Sequence, residues 1–494
     1  MFHTLKRLFL QPSRRPSLPR RRVLRLESLE IRTTLTAGLD WAVTAQQHGT
    51  LGRERAEEIA IDTANNSYVA GTFSGTVDFD TQDSDPTTRP ELVKVSYSIP
   101  NPSPEDPARR SYLPSGFVAK YNAAGQCEWV TAMTESLSGA VQSEAKALTF
   151  TYDATYGGRV VAVGHRSTST TFGSAGQDGV VAWFDAATGA VLSTKMFGGT
   201  RDNDYGADVT IDSTGNVYVT GSVENAPASV FYNKDIYVAK FNANTSLAWA
   251  KMIGGSSYAD EGTTIGIDGS GNVTVGGNFE GTVDFDPGSG TYSLQSGTPK
   301  LDHPRAGFVL QLNNSGAFRW ADHFAVSQTF SHSSVTELVV DASGAVTVSG
   351  IFKGNVDLNP DKRAAYSVSS VNGVDGYLVR LNASGKFVWA KTMDTTFVSG
   401  MTVGGDGGIY VTGGYNPDSS DPGFIARLNS TTGDLDQVVP VASGGSAIAV
   451  DGAGNIWLVG SFSGTDVDFD FTDAERLLSA EGDQVGMFLM RLHL

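Results

Sequence analysis

The sequence predicts an all-β fold: a seven-bladed β-propeller of four-stranded antiparallel blades over about residues 39–494, behind a separate basic segment, residues 1–38. Three observations predict it. Short β-branched or aromatic runs alternate with turn chemistry along the 494 residues, which contain 57 glycines and almost no helical periodicity. The runs recur as one four-part unit, clearest in residues 262–320, with a mean spacing of roughly 65 residues. The last unit lacks its fourth run, and a run of the missing kind stands near the amino end.

The first run, strand a, closes on an aspartate at Asp62, Asp212, Asp268, Asp341 and Asp451, with divergent copies at 148–153 and 401–405. A turn such as Asp212-Ser213-Thr214-Gly215-Asn216 follows, in which Asp bonds its own backbone and Gly supplies positive φ. Strand b closes on a glycine in all seven units: Gly71, Gly164, Gly221, Gly276, Gly350, Gly413 and Gly460. Strand c opens at Phe117, Val180, Tyr237, Phe308, Tyr377, Phe424 and Phe488. Its turn to strand d is of the Asn-x-x-Gly kind, as in 122–125, 313–316 and 382–385. The copy Asn242-Ala243-Asn244-Thr245 has no glycine, so Asn244 is expected to take the left-handed position. Strand d carries Trp129, Trp249, Trp320 and Trp389, with Leu192 and Leu435 in weaker copies, and is read as packing between blades or at the rim.

The strand-d pattern of Leu39-Asp40-Trp41-Ala42-Val43-Thr44 precedes the first strand a. A closed ring gains from that split, because the amino-terminal strand completes the last blade and removes two exposed sheet edges. A linear stack gains nothing. Hence the prediction of a ring.

These units, I-A-V-D-x-x-G-N-x-Y-V-T-G, then V-A-K-[FY]-[DN] and G-x-x-x-W, resemble the bacterial SBBP family of β-propeller repeats over most of residues 39–494. The resemblance implies a repeat module of an exported or surface protein, with no reaction attached. Leu26-Glu27-Ser28-Leu29-Glu30-Ile31-Arg32 with Leu35-Thr36-Ala37 resembles the L-E-x-L-E-x-R-x-L-L-S-A segment near the start of bacterial exported proteins. That resemblance implies a secreted or cell-surface location.

Charge narrows the partners. Residues 1–38 hold nine Lys/Arg and two acids, leaving 27 basic and 51 acidic residues in the remainder, a net of −24. An acidic body argues against nucleic acid, which draws on clustered Lys/Arg. A protein or glycan ligand on an acidic face fits better, with the chain expected to act as a monomer. No run approaches the roughly 18 apolar residues of a transmembrane span. Cys127 is alone, so no intrachain disulfide forms.

Propeller geometry puts the d–a and b–c connections on one face and the a–b and c–d turns on the other. The b–c loops repeat an Asp-x-Asp pattern: Asp78/Asp80, Asp284/Asp286 and Asp468/Asp470, with Asp357/Asn359 as a variant. These six aspartates are the candidate metal ligands, for Ca²⁺, which takes six to eight oxygens. The competing reading buries the intervening Phe and leaves the acids solvated. The d–a connections add Glu54, Glu57, Glu58, Asp202, Asp204, Asp260 and Glu261. Two Pro-rich or long insertions, 81–115 and 287–306, lie on the same face.

Catalytic motifs are missing. The seven histidines fall at unrelated repeat positions, and no Gly-x-Ser-x-Gly elbow occurs. His48, close to Arg53, Arg55 and Glu57, is the one expected nearest the central opening. The sequence thus favours a non-enzymatic binding or scaffold propeller. The alternative is an extracellular enzyme acting on polysaccharide, a lyase or hydrolase, with carboxylates from several blades.

Overall fold

A computed structural model describes residues 38–493 except the connecting positions 48–52, 82–86, 88, 101–109, 138–139, 170–175, 199–202, 225–232, 256–258, 298–303, 327–330, 362–363, 394–395, 415–422, 471–474 and 481–484. The export-like segment therefore lies outside the described residues. Among those described, seven four-stranded antiparallel sheets form, each in the order a-b-c-d. Blade 1 shows the pattern, with strands Arg53–Ile61, Ser67–Ser74, Ser115–Tyr121 and Cys127–Ala132. The other inner strands a are Gln142–Asp153, Tyr205–Ile211, Glu261–Ile267, His332–Val340, Phe397–Val403 and Gly445–Val450.

The ring closes as expected. Each strand a packs on that of the next blade, and Gly445–Val450 packs back on Arg53–Ile61. Gly38–Val43 is the outer strand of blade 7, paired with Val485–His493 from Gly38 opposite His493 to Val43 opposite Leu489. The apolar core follows the same plan, divided into seven seams between neighbouring blades. One seam joins Trp457, Val459 and Leu489 of blade 7 to Val69 and Phe117 of blade 1. The result is a seven-bladed β-propeller.

The repeated aspartate at the end of strand a folds its own turn. Asp212 Oδ1 accepts the amides of Thr214 and Asn216 at 2.9 and 3.0 Å, and Oδ2 accepts the Asn216 side-chain amide and the Tyr218 hydroxyl at 2.9 and 3.0 Å. Asp62 repeats the arrangement with Asn66 and Tyr68. The repeated Asp-x-x-Gly-Asn-x-Tyr signature is therefore a self-contained turn.

The strand-d tryptophans stitch blade to blade. Trp41, Trp129, Trp249 and Trp389 donate their indole N–H to the c–d turn of the following blade, at Ala123, Ala186, Asn314 and Ser430 carbonyls. Each ring, together with that of Trp320, lies against a positive-φ glycine of that turn: Gly125, Gly189, Gly316, Gly433 and Gly385 respectively. A Cβ there would meet the indole below about 3 Å. The exception is instructive. Blade 3 has no glycine in its c–d turn, and blade 2 has no tryptophan before it; Ser193 Oγ meets Thr245 Oγ1 at 3.3 Å instead. The left-handed residue there is Thr245, φ 68°, rather than the expected Asn244. Asn244 uses its side chain to accept from Ser246 N and Oγ, which places the strain one residue later.

Every strand a carries a β-bulge, so pairing skips one residue before Glu58, Ala147, Asp208, Thr264, Glu337, Gly400 and Ala447. Bulges reset the inward alternation of the strand at that point.

Candidate functional site

The Asp-x-Asp segments prove to be the first strands of small hairpins mounted on blades 1, 4 and 7. Thr76–Asp78 pairs with Val93–Val95, Thr282–Asp284 with Ser293–Gln295, and Val467–Asp468 with Leu477–Leu478. In each, the first carboxylate caps the turn through Oδ1: Asp78 accepts Asp80 N at 2.9 Å, Asp284 accepts Asp286 N and Tyr292 N at 3.1 and 2.8 Å, and Asp468 accepts Asp470 N and Arg476 N at 3.0 and 2.9 Å. Asp357 does the same for Asn359 N and Tyr366 N. The residue between is buried: Phe79, Phe285, Leu358 and Phe469. Phe79, Phe285 and Phe469 sit 4.8–5.0 Å from Phe117, Phe308 and Phe488. The Phe half of the structural reading is as expected, but Asp78 and Asp80 are themselves buried at 1% exposure. Among the described residues, no group of three or more His, Cys, Asp or Glu is arranged to hold a metal ion.

Asp204 and Asp260 are likewise drawn inward and fully buried. Asp204 accepts Glu224 N at 2.8 Å, while Asp260 accepts Gly255 N and Glu280 N at 2.8 and 3.0 Å. Burial pushes the Asp260 carboxyl up to about 7. His48 and Asp202 lie outside the described residues, as do Pro86, Pro102, Pro104 and Pro107 of the first insertion. What remains on the connection face is mixed rather than uniformly acidic. Lys146 Nζ lies 2.8 Å from Glu144 and 3.8 Å from Glu57; Glu261 is held by Lys234 at 3.3 Å and Arg305 at 2.6 Å. His165, opposite Glu144 in the sheet, is buried against Tyr205 at 5.0 Å, and burial pushes its imidazole down to about 4.

A cleft of about 490 Å³ opens on this face beside the ring's inner strands. Arg53, Arg55 and Lys146 supply its cations, Glu57 and Glu144 its carboxylates, and Tyr112 an aromatic wall. Arg53 and Arg55 alternate with the buried Glu54 on strand a, so both side chains stand on the exposed side. The opposite face has a hollow of about 440 Å³ between blades 7 and 1, lined by Asp62 and Asp451. Those carboxylates are already taken up by their own turns.

The axial channel holds three carboxyls that sequence reading did not bring together: Glu58, Asp208 and Glu337, each just after the strand-a bulge. Blades 1, 3 and 5 are not neighbours, yet Asp208 raises Glu58, and Asp208 and Glu58 raise Glu337, so the three stand within electrostatic reach of one another at the inner strands of the ring. Enclosure by protein, then Asp208 and Glu57, pushes Glu58 up to about 8. Burial raises Asp208 to about 6, against the amides of Ile265 and Val209 at 2.7 Å each. Glu337 is raised by burial, then by Asp208 and Glu58. Thr264, at the same level in blade 4, accepts Leu338 N.

Comparison with known proteins bears on the architecture. Residues 194–222 match the family model of the SBBP β-propeller repeat. The match runs from the outer strand of blade 2 through strands a and b of blade 3, part of one unit. Three solved structures with similar coordinates are a quinohemoprotein alcohol dehydrogenase from Comamonas testosteroni (10% identity, 92% of this chain and 76% of that chain, TM-score 0.43), a Dos1 propeller (9%, 92% and 95%, 0.43) and the polysaccharide lyase Uly1 (10%, 92% and 99%, 0.44). Similarity at that level carries no argument about ligand or reaction. No curated protein matches in sequence.

Proposed function

We propose that this chain is an exported, non-enzymatic binding propeller that takes a glycan or protein ligand on its connection face, at the cleft beside the channel mouth. One observation carries the reading: the cleft presents two exposed arginines, Arg53 and Arg55, whose side chains make no hydrogen bond or ion pair among the described residues, whereas the aspartates of the turn face are engaged in their own turns. Long connections on a rigid ring are also where such scaffolds place recognition. The export part rests on the resemblance of residues 26–37 alone. Glycan-array and surface-protein binding by the full chain tests the proposal, comparing wild type with an Arg53→Ala/Arg55→Ala variant and with Lys386→Ala on the turn face. The proposal expects binding lost in the first variant and kept in the second; binding that survives the cleft variant overturns it.

A propeller enzyme acting on polysaccharide remains the second reading, favoured by the raised carboxyls. Glu58 is protonated near neutral pH and could donate a proton, while Asp208 could accept one. Both lie midway along strand a rather than at the cleft. Release of reducing ends or unsaturated sugars from polysaccharide, abolished by Glu58→Gln, would establish that reading over the first.

A further inference from the structure

We infer that the cleft is a carboxylate-recognition subsite, built for a saccharide bearing an isolated carboxylate, as a uronate does, with Arg53 and Arg55 as the recognising pair. The inference rests on the binding reading above and names its ligand class.

The first ground is the state of the arginines. Nine other arginine side chains among the described residues donate to an oxygen. Arg89, Arg166, Arg305, Arg427 and Arg491 have carboxylate partners, and Arg380 has Asp341. Arg159, Arg319 and Arg476 donate to the Ala243 carbonyl, the Gln311 amide and the Ala42 carbonyl. Arg53 and Arg55 make no such bond among the described residues. In a chain with 53 acids against 36 Lys/Arg, these two neighbouring guanidiniums make no fork contact of their own, although Arg55 lies within electrostatic reach of Glu144. A guanidinium matches a carboxylate with two parallel N–H···O bonds.

The second ground is what surrounds them. Arg53 and Arg55 are two residues apart on one side of an extended strand, so their forks are offset by roughly 7 Å along it. A single carboxylate fits one fork and leaves the other for a ring or hydroxyl oxygen. The rest of the lining suits sugar hydroxyls: Glu57 and Glu144 accept, Ser74 and Ser111 donate or accept, and Tyr112 offers a ring face. The cleft lies within the size range of small-ligand sites.

The third ground is the field, which sets the charge density of the ligand. The chain carries a formal charge of −17, and Glu54, Glu57 and Glu144 stand within the same cleft. A dense polyanion or an acidic peptide is repelled by that surround, while one carboxylate among neutral hydroxyls meets the arginines and leaves the glutamates to the hydroxyls.

The test titrates the full chain with methyl glucuronide, methyl glucoside and an Asp/Glu-rich peptide, by calorimetry or saturation-transfer NMR. The inference expects the glucuronide to bind about 10-fold or more tightly than the glucoside. Arg53→Ala and Arg55→Ala should each reduce that preference, and the double variant should abolish it. Arg55→Lys, which keeps charge but loses the fork, should fall between. Both arginines are exposed, so an unchanged melting curve verifies folding. Equal binding of glucuronide and glucoside, or tighter binding of the peptide, overturns the inference. If a neutral glycan on the array still depends on the cleft arginines, the binding reading stands while the ligand class falls; if no ligand depends on them, both fall.

Discussion

Glu58→Gln offers the sharpest thermodynamic prediction. Glu58 has an ordinary value of 4.5 in the unfolded chain and about 8 in the ring. Between those values the folded protein holds more protons than the unfolded one, so stability falls as pH rises, and the loss is complete above about 8. The shift sets an upper limit of about 5 kcal/mol at 1.4 kcal/mol per unit. Glu58 is half-buried rather than fully buried, and solvent screening brings the expected loss to about 2 kcal/mol. Glutamine mimics the protonated form, so the variant should match wild type at pH 5, exceed it by about 2 kcal/mol at pH 8.5, and show a flatter profile. Urea unfolding followed by tryptophan fluorescence at each pH measures this directly. Adding Glu337→Gln should flatten the profile further, because that carboxyl is raised by the same enclosure and by Glu58 itself. A Glu58→Gln profile parallel to wild type, or a variant weaker at pH 8.5, would refute the assignment of these groups to a common channel.

The other predictions concern the repeat. Trp389→Ala removes an indole that covers Gly433 and donates to Ser430, and should cost about 3 kcal/mol in the same urea assay. Thr245→Gly relieves a β-branched residue at φ 68° and should raise stability by about 1 kcal/mol, net of the lost contact with Ser193. Asp284→Ala frees the amides of Asp286 and Tyr292 and should cost about 2 kcal/mol. If hydrogen bonds alone hold that hairpin, the fall in Tm is the same in millimolar calcium and in chelator; a calcium-dependent difference would instead establish the metal role expected from the Asp-x-Asp pattern.

The ring was readable from the sequence because its punctuation is chemical. Asp212 to Tyr218 specify one turn by their own hydrogen bonds, and the same letters recur from blade to blade. The Trp and turn-Gly pairs add a second, longer-range register that the sequence displays only once blades are known to be neighbours. The channel carboxyls were hidden for two reasons. Each follows a bulge, which resets the inward alternation of its strand, and the three come from distant parts of the chain. Glu58 was read as a loop acid for the same reason. The cleft was half readable: Arg53-Glu54-Arg55 is an alternating pair of cations opening a strand in an acidic body, a signal that could have singled it out. That Glu57 and Glu144 share Lys146 depended on the packing of blade 1 on blade 2. The acids expected to make one face negative were misjudged because Asp204 and Asp260 serve as buried amide acceptors, a role that composition does not reveal.

Both face assignments follow from a ring closed by the strand Gly38–Val43. Gly38 stands opposite His493, and a Cβ on Gly38 would lie 2.2 Å from the His493 ring, so side chains at the two positions meet. Directly opposed antiparallel residues are about 4.5–5.5 Å apart at Cα, within disulfide reach. A Gly38→Cys/His493→Cys variant under mild oxidation should therefore lose two free thiols without change in chain mass class, keep the buried Cys127 reduced, and melt at a higher temperature. Thiols that stay free, or that pair only between chains, would contradict the closed ring and with it the placement of the cleft.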